Sequence, residues 1–197
     1  MRAMAGANSD LYLHIRVIVS IILGLSVARL LNGIAGFVQH PTRHKVWWVH
    51  LAWVAWTLLS VVGFWWWEFR LAQVQVWTFG AYIFVLLYAA AFFMLSSVLF
   101  PNDIAEYAGF RDYFMSRRRW VFGLIALTFV MDVADTGLKG AAYAASLGPE
   151  YPIRIAVALA ACAAGAWVKS TWVQAALVVC ALVYQVSYFI RVYGVLG

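Results

Sequence analysis

VWTFGAYIFVLLYAAAFFMLSSVLF, from Val76 to Phe100, contains no Asp, Glu, Lys, Arg or His. A helix needs about 20 predominantly apolar residues to cross the hydrocarbon core of a bilayer. This stretch is long enough, and Pro101-Asn102-Asp103 stops it. Similar runs lie on both sides. Those before it are Leu11–Val38, closed by Pro41, and the tryptophan-rich Val46–Trp67. Those after it are Trp120–Leu138, the alanine-rich Ile153–Val168, and Thr171–Tyr193. The pattern predicts an all-α integral membrane protein. Its expected architecture is a polytopic bundle of six transmembrane helices, one domain over residues 1–197, with both termini on one side.

Composition agrees. The 197 residues are 65% hydrophobic and 11% charged, with a mean hydropathy of +0.84. Soluble domains average roughly 45–50% apolar and about 25% charged. A water-soluble globule is therefore excluded, as are disordered and disulfide-dense chains. The first apolar run opens on His14 and Arg16 and lacks a small-residue cleavage site, so it reads as a retained span. The net charge of +6 arises mostly at the ends of apolar runs, where basic residues set orientation and meet anionic headgroups. Nucleic acid is not an expected partner. Cys162 and Cys180 lie inside apolar runs and read as packing residues.

The longest polar stretch is Pro101–Arg119, with Asp103, Glu106, Arg111, Asp112 and Arg117-Arg118-Arg119. Apolar residues at partly helical spacing predict a short interfacial helix here, between spans three and four. Residues 140–152, rich in Gly and Ala, read as a turn. Lys and Arg counts in the loops nearly balance. The compact Arg117–Arg119 run assigns its side to the cytoplasm and both termini to the outside, in a bacterial inner (cytoplasmic) membrane.

Charges inside apolar runs are costly and usually face a bundle interior or a cavity. At 1.5 Å per residue, Asp132 and Asp135 lie about 18 and 22 Å along span four, and Arg191 about 30 Å along span six. This register gathers His14, Arg16, Glu68, Arg70, Asp132, Asp135, Lys139 and Arg191 in the terminus-side half. Asp132 and Asp135 share a helix face, and Lys139 follows Asp135 by four. Arg29 lies toward the other side, with His50 and the His40/His44 loop. The expected ion or solute pathway is Asp132, Asp135, Arg16, His14, Arg29 and Arg191, with Arg16 or Arg191 as the counter-charge to the aspartates. The structural alternative is that the pairs neutralise one another and fix helix packing.

His40, His44 and His50 have no cysteine or carboxylate close by in sequence, so no metal site is expected. Most of the eleven tryptophans fall at span ends, as interfacial belts require. Trp53 and Trp56 are deeper, and with His50 they form a possible pocket for a flat apolar ligand. Small residues repeat at Gly24, Ala28, Asn32 and Gly36, and at Ala158, Cys162 and Ala166, which permits close helix approach. No phosphate loop, nucleophile elbow or zinc protease motif is present. An enzyme is not expected, and no cofactor is required. The leading expectation is a small transporter or channel for an ion, proton or small polar solute, acting as a homo-oligomer. The alternatives are an accessory or assembly subunit of a membrane complex, and a haem-, quinone- or pigment-binding membrane protein.

Overall fold

The computed structural model describes residues 2–40, 45–68, 71 and 77–192; of residues 2–11 the helical backbone alone is described. The described residues form seven helices and no strand: α1 (Arg2–Gln39), α2 (Trp48–Trp67), α3 (Phe79–Leu99), α4 (Phe110–Lys139), α5 (Ala141–Ser146), α6 (Glu150–Trp167) and α7 (Thr171–Val192). Five of them, α1 from Tyr12, α2, α3, α4 and α7, are long and apolar enough to cross a membrane. Glu150 and Arg154 in the first turns of α6 set it apart from those five. Pro41, Arg43, His44 and Arg70 lie outside the described residues.

Contacts between helix termini define two ends. At one end, Arg29 of α1 reaches the carbonyl of Phe100 after α3, and the Phe110 N–H of α4 donates to Lys45 O before α2. Gln174 of α7 donates there to Gly165 O and Val168 O at the close of α6. At the other end, Trp65 Nε1 of α2 donates to Ser20 Oγ of α1. Glu68 meets Lys139 there, and Glu150 meets Arg191. These are called the Phe100 end and the Glu68 end below.

The helices pack along stripes set by their periodicity. Ile15, Val19, Leu23, Ser26 and Leu30 of α1 are buried at spacings of four, four, three and four. Ser26 returns its hydroxyl to Ile22 O, so the stripe carries no unpaired hydroxyl. In α4 the stripe is Phe114, Arg118, Val121, Ile125, Thr128, Asp132, Asp135 and Lys139. Its apolar half seals the core, and its last two turns carry charge on the same face. Many large apolar side chains stay exposed on the outside, including Ile21, Phe79, Trp120, Val157 and Ile190. A soluble protein rarely shows so much outward apolar surface; hydrocarbon covers it at no cost.

Two local expectations are corrected. Residues 110–119 do not form a separate interfacial helix; they are the first turns of α4. No glycine or proline lies between Phe110 and Trp120, so nothing interrupts the helix. The break comes earlier, at Gly109, whose φ of +147° suits glycine and whose position leaves little room beside Lys45. The turn at 140–152 contains the one-and-a-half-turn helix α5, set off by Gly140 and Gly148 at positive φ.

Close approach occurs at different glycines from those of the Gly24/Ala28 stripe, where Gly24 and Gly36 have open space around them. Gly165 of α6 lies against the Phe122 ring of α4, and Gly33 of α1 against the Phe100 ring. The Ala158/Cys162/Ala166 stripe does face inward: Cys162 and Ala166 are buried. Gly165→Ala should therefore overpack the α4–α6 contact and cost about 1–3 kcal/mol. Gly123→Ala, in an exposed helix interior with open space, should instead stabilise by about 0.5–1 kcal/mol. Denaturant titration of the purified protein in micelles checks the opposite signs.

Candidate functional site

Three elements bring charge together at the Glu68 end, and a fourth walls it. Glu68 is the residue after α2, and its N–H continues the helix by donating to Phe64 O. Asp132, Asp135, Thr136 and Lys139 lie at i, i+3, i+4 and i+7 on α4, which is one helix face. Tyr151 and Arg154 project from the start of α6. Tyr188 and Gln185 of α7 complete the wall.

Lys139 Nζ is 2.5 Å from Asp135 Oδ2 and 3.3 Å from Glu68 Oε1, so one ammonium bridges two carboxylates. The Lys139 and Asp135 side chains are 2% exposed and Glu68 is 7% exposed. Lys139 also lies in the last turn of α4, where the helix dipole favours a cation. The Tyr143 ring of α5 lies 5.8 Å from its ammonium. Beside this triad, Arg154 Nη2 donates to Asp132 Oδ2 at 2.9 Å. The guanidinium is held over the Tyr151 and Tyr188 rings at 5.3 and 5.0 Å. Tyr151 OH donates to Thr136 Oγ1 at 3.0 Å.

A cavity of about 100 Å³ opens among these groups, lined by Glu68, Asp132, Asp135, Thr136, Tyr151 and Arg154 together with aromatic residues. Glu68 Oε2, Asp135 Oδ1 and Arg154 Nε are buried with no hydrogen-bond partner among the described residues. Buried polar atoms are normally satisfied. The cavity is large enough for water-sized occupants, which need two to four polar partners. Here the carboxylate oxygens supply acceptors, and Arg154 a donor.

The expected pathway residues divide. Asp132 and Asp135 line one cavity. Their counter-charges are Arg154 and Lys139, not Arg16 or Arg191. Arg191 instead grips Glu150 through two bonds of 2.7 and 2.9 Å, and Tyr184 OH adds a third at 2.9 Å. This pair is half-exposed. The reason is register: Arg191 lies at the very end of α7, level with the first residue of α6. Arg16 is exposed on α1 and shares a small cleft with Glu68. His14 is also exposed on α1. Arg29 sits at the opposite end, where it donates to Phe100 O and Asn102 Oδ1 at 2.6 and 2.5 Å and ties α1 to the end of α3.

The expected His50/Trp53/Trp56 pocket also divides. His50 is fully buried, its Nε2 2.8 Å from Leu99 O, within an aromatic cage of Phe37, Phe100, Phe110 and Phe114. It does not line the cleft that Trp53 and Trp56 line. Trp53 and Trp56 do line one: an apolar cleft of about 330 Å³ between α2, α4, α6 and α7. Arg154 and Gln185 line both the cleft and the charged cavity. Among the described residues, no group of three His, Cys, Asp or Glu is arranged to hold a metal ion.

Sequence reading left Arg154 among the loop charges and did not single out Tyr151 or Thr136. The signal for Arg154 was its position just inside an apolar run, on a helix that must pack against the Asp132 face. Compared with known proteins, the chain matches no family model, no curated protein and no solved structure.

Removing Lys139 should strand two buried carboxylates. Lys139→Met is expected to cost about 3–5 kcal/mol. Adding Glu68→Met and Asp135→Leu should restore most of it, because an all-apolar replacement leaves no uncompensated charge. Denaturant titration of the two variants decides this. The Arg191 and Tyr184 hydrogen bonds hold Glu150, at the head of α6, at about 2 against an ordinary 4.5. A depressed carboxyl pKa stabilises the fold fully above the unfolded value and loses that contribution as pH falls toward the folded one. The α6–α7 contact should thus loosen between about pH 4.5 and about 2, and Glu150→Gln should remove this dependence. Thermal melts across that acid range check it.

Proposed function

We propose that the chain is a small polytopic membrane transporter or channel for an ion, proton or small polar solute. The observation that carries this reading is the two-signed cluster around the cavity at the Glu68 end: Glu68, Asp132, Asp135 and Arg154 line it, and Glu68 Oε2 and Asp135 Oδ1 are buried without a hydrogen-bond partner among the described residues. A purely structural ion-pair core would satisfy every oxygen and leave no space. Here Glu68 Oε2 and Asp135 Oδ1 lack partners among the described residues, and their residues line a cavity. Asp132 is the pathway residue of choice, since it is the more accessible carboxylate and its Arg154 partner forms the wall of the cavity. Asp132 can exchange Arg154 for a passing cation or a hydrogen-bonding solute, because both compete for the same oxygen.

In this reading α6 is the sixth span, complementing the five helices long and apolar enough to cross. Its charged first turn lies at the membrane face, and its alanine-rich remainder packs on α4. Both termini then share the Glu68 side. Orientation follows from the cations. At the Phe100 end, Lys45, Arg111 and Lys169 are exposed at helix termini. The Phe100 end also holds the compact Arg117–Arg119 run, whereas Arg16, Lys139, Arg154 and Arg191 at the Glu68 end are scattered over four helices. Loop cations set orientation, so the Phe100 end is assigned to the cytoplasm and the termini to the outside. The cytoplasmic cations meet anionic lipid headgroups.

A second reading rests on the apolar cleft. Its size and its Trp53 and Trp56 walls suit a flat apolar ligand such as a quinone. His50 takes no part in it. A featureless visible and near-ultraviolet difference spectrum on adding a soluble quinone would set this reading aside.

Asp132→Asn should abolish flux in proteoliposomes while leaving expression and membrane insertion intact. Parallel assays with a proton gradient and with alkali cations identify the species. Undiminished flux in that variant would remove Asp132 from the pathway.

A further inference from the structure

The charge count inside the innermost triad is unequal. Two carboxylates, Glu68 and Asp135, face one ammonium, and all three side chains are at least nine-tenths buried. Each carboxylate gives one oxygen to Lys139 Nζ. Each keeps one oxygen, Glu68 Oε2 and Asp135 Oδ1, buried without a partner among the described residues. Both residues line the cavity. Two ionised carboxylates sharing a buried site repel, and one ammonium compensates one of them. The remaining charge is removed most simply by a proton, as in other coupled carboxylate pairs.

The surrounding groups do not supply that charge. Asp132 adds a further negative group, and Arg154 is committed to it at 2.9 Å. Tyr88 of α3, Tyr143 of α5, Tyr151 of α6 and Tyr188 of α7 face the cluster as neutral phenols. Among the described residues, Arg16 of α1 is the one further cation beside Glu68. It lies on the outer side of Glu68, across a cleft of about 20 Å³, and its side chain is exposed.

We infer that Glu68 and Asp135, bridged by Lys139, form a proton-binding site that holds one exchangeable proton per chain. The inference rests on the transport reading for its use: it makes the proton the transported or coupling species. Loading forms an O–H bond on Glu68 Oε2 or Asp135 Oδ1 with a proton from cavity water. Unloading breaks that bond and returns the proton to water, with no other bond made or lost. Lys139 stays charged throughout and keeps the two carboxylates at a fixed separation. Asp132, nearer the open part of the cavity, lies on the route the proton takes.

Infrared difference spectroscopy of the full chain in lipid vesicles, titrated over roughly pH 5–8, tests this. The expected result is one carboxylic-acid carbonyl band per chain that appears as pH falls. In Glu68→Gln or Asp135→Asn it should lose at least half its amplitude, because the surviving carboxylate then has Lys139 to itself and stays ionised. Arg16→Gln should leave the band in place. Absence of any titrating band in the wild-type chain overturns the inference, whether or not the variants fold. So does a band unchanged in both carboxylate variants. Proteoliposome flux measured on the same preparation keeps the two readings apart. Flux without the band defeats the proton site and spares transport; the band without flux defeats transport and spares the proton site.

Discussion

One ammonium held between two buried carboxylates is the constraint on which the Glu68 end depends. Lys139 ties the end of α4 to the residue after α2, and those two helices have little else in common at this level. In the interior such an ion pair is only as good as its geometry, since desolvation opposes the Coulomb attraction. Satisfying Lys139 requires α4 to present Asp135, Thr136 and Lys139 inward. The same rotation turns Asp132 toward α6 and meets Arg154. The α4–α6 contact is then completed where Phe122 settles against Gly165. The polar and apolar halves of one stripe thus fix the same helix rotation.

The two ends of the bundle solve the polar-group problem differently. At the Phe100 end, His50 and Arg29 spend their hydrogen bonds on the carbonyls that α3 leaves open where it stops. Free carbonyls at a helix terminus need partners; His50 meets Leu99 O inside aromatic packing, and the partly exposed Arg29 meets Phe100 O. That end is sealed. At the Glu68 end the charged residues line a cavity, and Glu68 Oε2, Asp135 Oδ1 and Arg154 Nε are buried without a partner among the described residues. Beside the charged cavity, the apolar cleft lies between α2, α4, α6 and α7.

Much of this was legible in the sequence, and the limits have physical causes. Apolar runs of bilayer length gave the helices, because in hydrocarbon the backbone must satisfy itself. Spacing of three and four put Asp132, Asp135 and Lys139 on one face, and the Asp135–Lys139 bond is local in sequence. Pairings between distant helices were not legible. Which arginine answers Asp132 depends on how α6 rotates against α4, and rotation is set by packing that no single run reveals. Residue depth placed Arg16 and Arg191 near the aspartates and left Arg154 among the loop charges. His50 looked available because depth says nothing of the aromatic rings around it. The continuity of α4 through Arg117–Arg119 was hidden by polarity: three arginines look like a loop, yet on the helix Arg117 and Arg119 are exposed while Arg118 lies in the buried stripe and donates to Met115 O.

The most direct test of this account is whether the cavity holds water in a membrane. Thr136 lines it and accepts a near-isosteric cysteine. Thr136→Cys, in a chain with Cys162 and Cys180 replaced by alanine, should react in sealed vesicles with a small membrane-impermeant thiol reagent. Reaction should occur from the face holding the chain termini and not from the other face. A thiol inert from both faces, in protein that remains folded, would contradict the account and leave the cluster a dry structural core.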